Sequence, residues 1–156
     1  MAVKIVTDST SYINEELKEK YNIDIVSLSV IFQNEEFKEI HIKNETFYEK
    51  LDKNLSIPTS SQPPLQEMYN SLEKQVRDNN EVVGVFLSSD MSGTYSNACL
   101  AKNMILEKYP NAVIEIIDSR SNCMQLGFAA LTAAKAAQQG KSIDEVVEDR
   151  KSTRLN

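Results

Sequence analysis

The sequence predicts an α/β domain built on a mostly parallel sheet flanked by helices. Three observations predict it. Apolar, β-branched runs at Val3 to Thr7, Ile23 to Phe32, Glu81 to Leu87 and Ala112 to Ile117 alternate with stretches of helical period. That alternation calls for crossover helices and hence for parallel strands. Main strand ends carry hydroxyls and aspartates, at Asp8-Ser9-Thr10, Ser88-Ser89 and Asp118-Ser119, where folds of this class bind ligands.

Each element has its own signal. After the first strand, Asn14 can cap a short helix through Tyr21, with Glu15 and Glu16 suited to the positive end of its dipole. Ile23 to Phe32 is a second apolar, β-rich run, and Gln33-Asn34-Glu35 turns the chain into a short strand around Phe37. A brief helix starting at Asn44 or Thr46 holds Phe47, Tyr48 and Leu51. Asn54 to Pro64 contains Pro58, Pro63 and Pro64 and has no helical period, so it is expected as a fixed loop. Leu65 to Arg77 is amphipathic, with Leu65, Met68, Tyr69, Leu72 and Val76 on one stripe facing the core. A helical pattern over Asn97 to Lys108 follows the third main strand and ends at Pro110. The alanine-rich stretch Cys123 to Gln139 is a helix closed by Gly140, and Ser142 with Glu145 is a capping-box signature for one more.

Composition narrows the function. The chain of 156 residues is 41% hydrophobic and 26% charged, room for one ordinary globular core. A formal net charge of −6 and the lack of a Lys/Arg cluster argue against nucleic acid as a partner. The N-terminus turns polar too soon for a signal peptide, and no run reaches the length of a membrane span. Cys99 and Cys123 lie in apolar helical contexts without a CxxC partner, so both are expected as buried thiols in a reducing cytoplasm. A single histidine, His41, cannot build a His-rich metal site, and no cofactor is expected.

The organising stretch is Leu87 to Tyr95, which reads Leu-Ser-Ser-Asp-Met-Ser-Gly-Thr-Tyr. A strand stops and a helix starts here, leaving backbone N–H groups without intrahelical partners at the positive end of a dipole. Ser92 and Thr94 add side-chain donors, and Gly93 admits close approach to the backbone. This chemistry suits a carboxylate or phosphate. The same residues also suit a plain helix cap. No P-loop and no Gly-x-Ser-x-Gly elbow is present, and His41 is the only histidine available as a triad base. Asp8 and Asp118 could form a carboxylate pair or could each cap its own loop. Hydroxyls and N–H groups bind anions better than they break bonds, so the loops read as a binder.

Four motifs in order carry a resemblance: Thr7-Asp8-Ser9, Pro58-Thr59-Ser60-Ser61-Gln62-Pro63, Ser88 to Tyr95, and Ile117-Asp118-Ser119. Together they resemble the DegV family of bacterial fatty-acid-binding proteins. The resemblance implies that residues 1–149 are the N-terminal domain of a two-domain fold. It leaves 150–156 as a non-matching tail, and the second α/β domain is absent from this sequence. It further implies a long-chain fatty acid held in an apolar tunnel, with its carboxylate presented to a separate fatty-acid kinase that makes acyl phosphate for phospholipid synthesis. Carried over by motif, Ser92 and Ser60 grip the carboxylate, with Thr59, Ser61, Gly93 and Thr94 around them. The family more often has threonine at the position of Ser60. A histidine and an arginine of the second domain would complete the head-group site. Candidates for a tail slot, each also suited to core packing, are Ile31, Phe32, Met91, Leu126 and Phe128. Two alternatives stay open from the residues alone: an enzyme that processes phosphate or ester groups with a loop serine, and an interaction module without a ligand.

Overall fold

A computed structural model describes residues 2–53 and 56–151. Asn54 and Leu55 of the proline-rich loop, and Ser152 to Asn156 of the tail, lie outside the described residues. The strands are β1 (Val3–Asp8), β2 (Asp24–Val26), β3 (Ser29–Phe32), β4 (Glu35–Lys38), β5 (Thr59–Ser61), β6 (Glu81–Phe86) and β7 (Ile114–Asp118). The helices are α1 (Glu15–Tyr21), α2 (Asn44–Lys53), α3 (Leu65–Arg77), α4 (Thr94–Lys108), α5 (Cys123–Gln138) and α6 (Ile143–Lys151). Single 3-10 turns occupy Ser9–Ser11 and Glu39–His41.

The main sheet has the order β2-β1-β6-β7 and all its pairs are parallel. Its central strands are buried on both faces, which is why they read as unbroken apolar runs rather than alternating ones. Along β6 and just beyond it, Val83, Val85 and Leu87 face a core with Leu126, Ala129, Ala130 and Ala133 of α5. Val82 and Phe86 face the other way, against Met68 and Leu72 of α3 and Ala98, Ala101 and Ile105 of α4. The result is three layers, with α5 covering one face and α3 and α4 the other.

Small residues on α5 set how close the layers come. A Cβ built on Gly127 would lie 2.3 Å from the carbonyl oxygen of Ser11, so α5 rests directly on the 3-10 turn after β1. At the far end of α5, Gly140 takes φ +76°, and the N–H groups of Gly140 and Lys141 donate to Ala137 O and Ala136 O. These bonds satisfy carbonyls the helix leaves open and turn the chain into α6. The expected capping box is present there: Ser142 N donates to Glu145 Oε2 at 2.9 Å and Glu145 N to Ser142 Oγ at 3.4 Å. Asn14 likewise caps α1, accepting from Leu17 N at 2.9 Å.

One apolar run divides, and one expectation is corrected. The Ile23 to Phe32 run is not one strand. The ladder breaks at Ser27-Leu28, where Leu28 N donates to Ser9 Oγ (2.9 Å) and Ser27 Oγ to Leu28 O (2.9 Å). Side-chain hydroxyls here replace strand partners, as serine is able to do. The chain then leaves the main sheet and enters a second, antiparallel sheet of order β4-β3-β5. Nor is the proline-rich segment wholly irregular. Thr59–Ser61 pairs with β3 as an edge strand, Ser60 opposite Val30, and its prolines lie outside the paired residues. Elsewhere the shifts are small: α4 begins at Thr94 rather than Asn97 and β7 starts at Ile114.

Close seating of α5 yields the first prediction. Gly127→Ala would press a methyl against a backbone carbonyl that cannot yield cheaply, at an expected loss of about 1–3 kcal/mol. Urea unfolding measures it, and an unchanged midpoint would contradict the packing described.

Candidate functional site

Between β1 and β6 the chain connections diverge. β1 leads through α1 to β2 on one side, whereas β6 leads through α4 to β7 on the other. Loops leaving neighbouring strands in opposite directions open a crevice at the carboxyl ends, the usual ligand position in such sheets. A cleft of about 510 Å³ lies there, within the size range of small-molecule pockets (roughly 300–1,000 Å³).

Its floor is set by a buried carboxylate. Asp8 ends β1 fully buried and accepts from Leu87 N (2.8 Å), Thr10 N (2.9 Å) and Thr10 Oγ1 (2.5 Å). Burial pushes its carboxyl above the ordinary carboxylate range, against the downward pull of those hydrogen bonds. Asp118 ends β7 and clamps the neighbouring loop through Ser89 Oγ (2.6 Å), Ser89 N (3.2 Å) and its own turn at Arg120 N (2.9 Å). Burial works to raise Asp118, but the bonds from Ser89 and Arg120 outweigh it and hold the carboxyl below its usual value. Each aspartate thus organises a loop.

Above that floor, one wall comes from the loop before α4. Ser92 N and Met91 N donate to Ser88 O (3.1 and 3.0 Å), and Gly93 is the N-cap residue of α4. Ser92 Oγ accepts from Thr94 N at 3.2 Å and lies 2.9 Å from Thr94 Oγ1. The facing wall comes from β5. Side chains alternate along a strand, so Ser60 joins its cross-strand neighbour Val30 in the lining whereas Thr59 and Ser61 do not line the cleft. The two walls are fastened together. Asn97 Nδ2 on α4 donates to Pro63 O at 2.8 Å, and a Cβ on Gly93 would meet Gln62 Oε1 at 2.1 Å. Gln62 thus lies over the open face of Gly93, and a larger residue there would have to displace its amide.

Of the residues expected around a carboxylate, the cleft gathers Ser60, Ser92 and Gly93. Thr94 is fully buried behind Ser92 and does not line it. Among the tail-slot candidates, Met91 lines the cleft and is largely exposed. Leu126 is fully buried in the α5 core, and Phe32 is buried in an aromatic group, its ring centroid 5.6 Å from that of Phe47 and 6.4 Å from that of Phe37. Phe128, two residues beyond Leu126 and so on the opposite side of α5, is 59% exposed. Ile31 sits half-buried on β3, outside the lining. The apolar lining consists instead of Leu28, Val30, Leu87 and Met91.

Sequence reasoning missed Tyr12, Ser29, Glu39, Asn122 and Cys123 as lining residues. Glu39 arrives from the turn after β4 and accepts from Ser9 Oγ at 2.6 Å, a contact no local pattern announces. Tyr12, in the left-handed region at φ 51°, is pushed up to about 12 by partial burial and by the adjacent Glu39 carboxylate. Cys123 is corrected: it opens α5 at φ 51°, exposed on the cleft, and Cys99 is half-buried, so neither is a fully buried thiol. His41 is exposed in its 3-10 turn and does not line the cleft. The described lining holds no lysine, arginine or histidine, and its charged residue is Glu39. What the described lining offers to an anion is hydroxyls and the N-terminal ends of α4 and α5, both of which border the cleft through Gly93 and Cys123.

Fold and cleft together define a three-layer α/β domain whose binding crevice lies at a topological switch point. The chain belongs to the DegV family, whose sequence profile, described as an uncharacterised protein of the DegV family, matches residues 2–155. A DegV domain-containing protein of Clostridium acetobutylicum is 56% identical over 94% of this chain and 51% of its own length. Protein DegV of Bacillus subtilis is 36% identical over 99% of this chain and 56% of its own. The chain spans about half the length of the curated relatives it matches. Among solved structures, DegV of Bacillus subtilis, described as a fatty acid binding protein, superposes with a TM-score of 0.87 at 34% identity, covering 97% of this chain and 53% of that one. A stearic-acid-binding protein from Eubacterium ventriosum also gives 0.87, at 26% identity, over 96% and 52%. Among the described residues no helix is long and apolar enough to cross a membrane.

The Asp118 clamp carries a pH signature. A carboxyl held below its unfolded value contributes stability that is present above the unfolded pKa and lost as pH falls through the folded one. Asp118→Asn is therefore expected to be less stable than the parent at neutral pH and to lose less stability on acidification below pH 3.8, the ordinary value for this group. Thermal unfolding of both proteins between neutral pH and pH 3 tests this, and parallel curves would refute the clamp.

Proposed function

We propose that this domain supplies the carboxylate end of a long-chain fatty-acid site and, within the longer protein, presents that carboxylate to a fatty-acid kinase. The observation that carries the reading is the convergence of Ser60 and Ser92, from separate elements, on one cleft bordered by two helix N-termini. Such a site offers hydrogen-bond donors and positive dipole ends to an anion without committing a full positive charge. Apolar contact comes from Leu28, Val30, Leu87 and Met91. Each buried methylene contributes roughly 0.8 kcal/mol, so the tail supplies affinity and the hydroxyls supply orientation. The description of the Bacillus subtilis structure as a fatty acid binding protein, and of the Eubacterium ventriosum one as stearic-acid-binding, supports the same chemistry. The kinase step rests on the family resemblance.

Ser92 is a poor candidate nucleophile. Its partners are the N–H and hydroxyl of Thr94, and neither is a base. A donor role is consistent with that arrangement.

Lipid extraction from the purified protein followed by mass spectrometry is the direct test. A stoichiometric fatty acid is expected, and Ser92→Ala should weaken oleate binding about tenfold or more, as loss of a hydrogen bond to a charged group does. Unchanged oleate affinity in Ser92→Ala would remove the head-group assignment. Cys123 offers an independent reading because it borders the same cleft. Oleate is expected to slow alkylation of Cys123 by N-ethylmaleimide while leaving Cys99 unaffected. Equal rates with and without oleate would place the ligand elsewhere.

A further inference from the structure

We propose that Thr94 is a positioning residue that donates its hydroxyl proton to Ser92 and thereby turns the Ser92 proton outward into the cleft, so that the site selects a ligand that accepts. The inference rests on the fatty-acid reading for the identity of that ligand, and on hydrogen-bond bookkeeping for everything else. Thr94 is fully buried, and the partner of its Oγ1 is Ser92 Oγ at 2.9 Å. Either oxygen could donate across that distance. The two directions leave different remainders. If Ser92 donated, the Thr94 proton would be left in the interior without an acceptor, an unfavourable state for a buried hydroxyl. If Thr94 donates, its proton is met within the pair, and what stays open on its oxygen is acceptor capacity alone.

The second direction also fixes Ser92. Its oxygen already accepts from Thr94 N at 3.2 Å. Accepting from Thr94 Oγ1 as well fills both lone-pair sites of a hydroxyl that has two. What remains on Ser92 is one proton, and half-buried Ser92 lines the cleft. An oxygen that accepts two hydrogen bonds is polarised toward being a stronger donor itself. Ser92 is thus preset as a donor before any ligand arrives, and an acceptor-only group such as a carboxylate matches it. An alcohol or amide oxygen accepts more weakly, and an ammonium group cannot accept.

Direction and consequence are tested separately. In the ligand-free chain, nuclear magnetic resonance is expected to show a slowly exchanging hydroxyl proton coupled to the Thr94 Hβ, with a cross-peak to the Ser92 Hβ protons. A slowly exchanging proton assigned to Ser92 instead would overturn the proposal. Oleate affinity is then measured for Thr94→Val, Thr94→Ser, Ser92→Ala and the Ser92→Ala/Thr94→Val double variant. Thr94→Val should bind about three- to tenfold more weakly, the range expected for one neutral hydrogen bond. Thr94→Ser, which keeps the hydroxyl, should restore the parent affinity. In the Ser92→Ala background the valine effect should vanish, because Thr94 acts through Ser92. A valine effect that persists without Ser92, or none in its presence, overturns the positioning role while leaving the head-group reading intact. Unchanged affinity in Ser92→Ala defeats the head-group reading, and this role with it.

Discussion

A buried carboxylate held by backbone and hydroxyl donors ties this domain's functional end together. Asp8 gathers the N–H of Leu87, from the end of β6, and the N–H and hydroxyl of Thr10, from its own turn. Desolvation opposes its charge, and the converging donors answer that cost. The consequence is geometric. β1 and β6 are the central neighbours of the parallel sheet, and one side chain ties the start of both outgoing loops. From that common level one loop turns toward α1 and the other toward α4, and the space between them is the cleft. Leu28 N on Ser9 and Ser9 on Glu39 extend the same hydrogen-bonded layer to the second sheet.

That second sheet is what makes the crevice a two-walled site. A plain parallel sheet would offer the loop before α4 and little opposite it. Here the chain escapes the main sheet at Ser27-Leu28, forms β3 and β4, and recruits β5 from far along the sequence. β5 then carries Ser60 to the cleft, and the segment just beyond it is tied to α4 by the Asn97–Pro63 bond. Ser60 and Ser92 face each other because a strand and a helix start are fastened together, not because either loop is rigid alone. The described lining balances this polar end with aliphatic residues and carries one acidic side chain, so what it offers is donors and shape rather than positive charge.

Polarity is conveyed inward as well as outward in this site. Thr94 is sequestered where its hydroxyl has one use, and Ser92 is placed where its hydroxyl has one proton to give. Such arrangements preorganise a binding group without any movement on ligand arrival. They also show how a Ser-Gly-Thr sequence that starts a helix can at the same time present a hydroxyl to a cleft. The cap and the site are the same hydrogen bonds seen from two sides.

Much of this was legible from residues alone, for physical reasons that are local. Apolar runs such as Val82 to Leu87 are strands buried on two faces. Asn14, Gly140 and the Ser142–Glu145 box mark helix ends because a helix terminus has unsatisfied groups that only certain neighbours can meet. The hydroxyl-rich loop after the third main strand pointed to Ser92 and Gly93, the order of four motifs pointed to the family, and Ser60 came with that resemblance. Tertiary structure alone decided what depends on distant partners: that Ser27 and Leu28 break a strand, that Thr59 to Ser61 make one, that Glu39 and Tyr12 enter the cleft, and that Leu126 and Phe32 go to the core. It also separated Thr94 from Ser92, burying the one and leaving the other on the cleft. Periodicity and capping are written within a few residues, whereas the side of a strand that faces a cleft, and the direction in which a hydroxyl points, are fixed only when a remote segment arrives to occupy the other side.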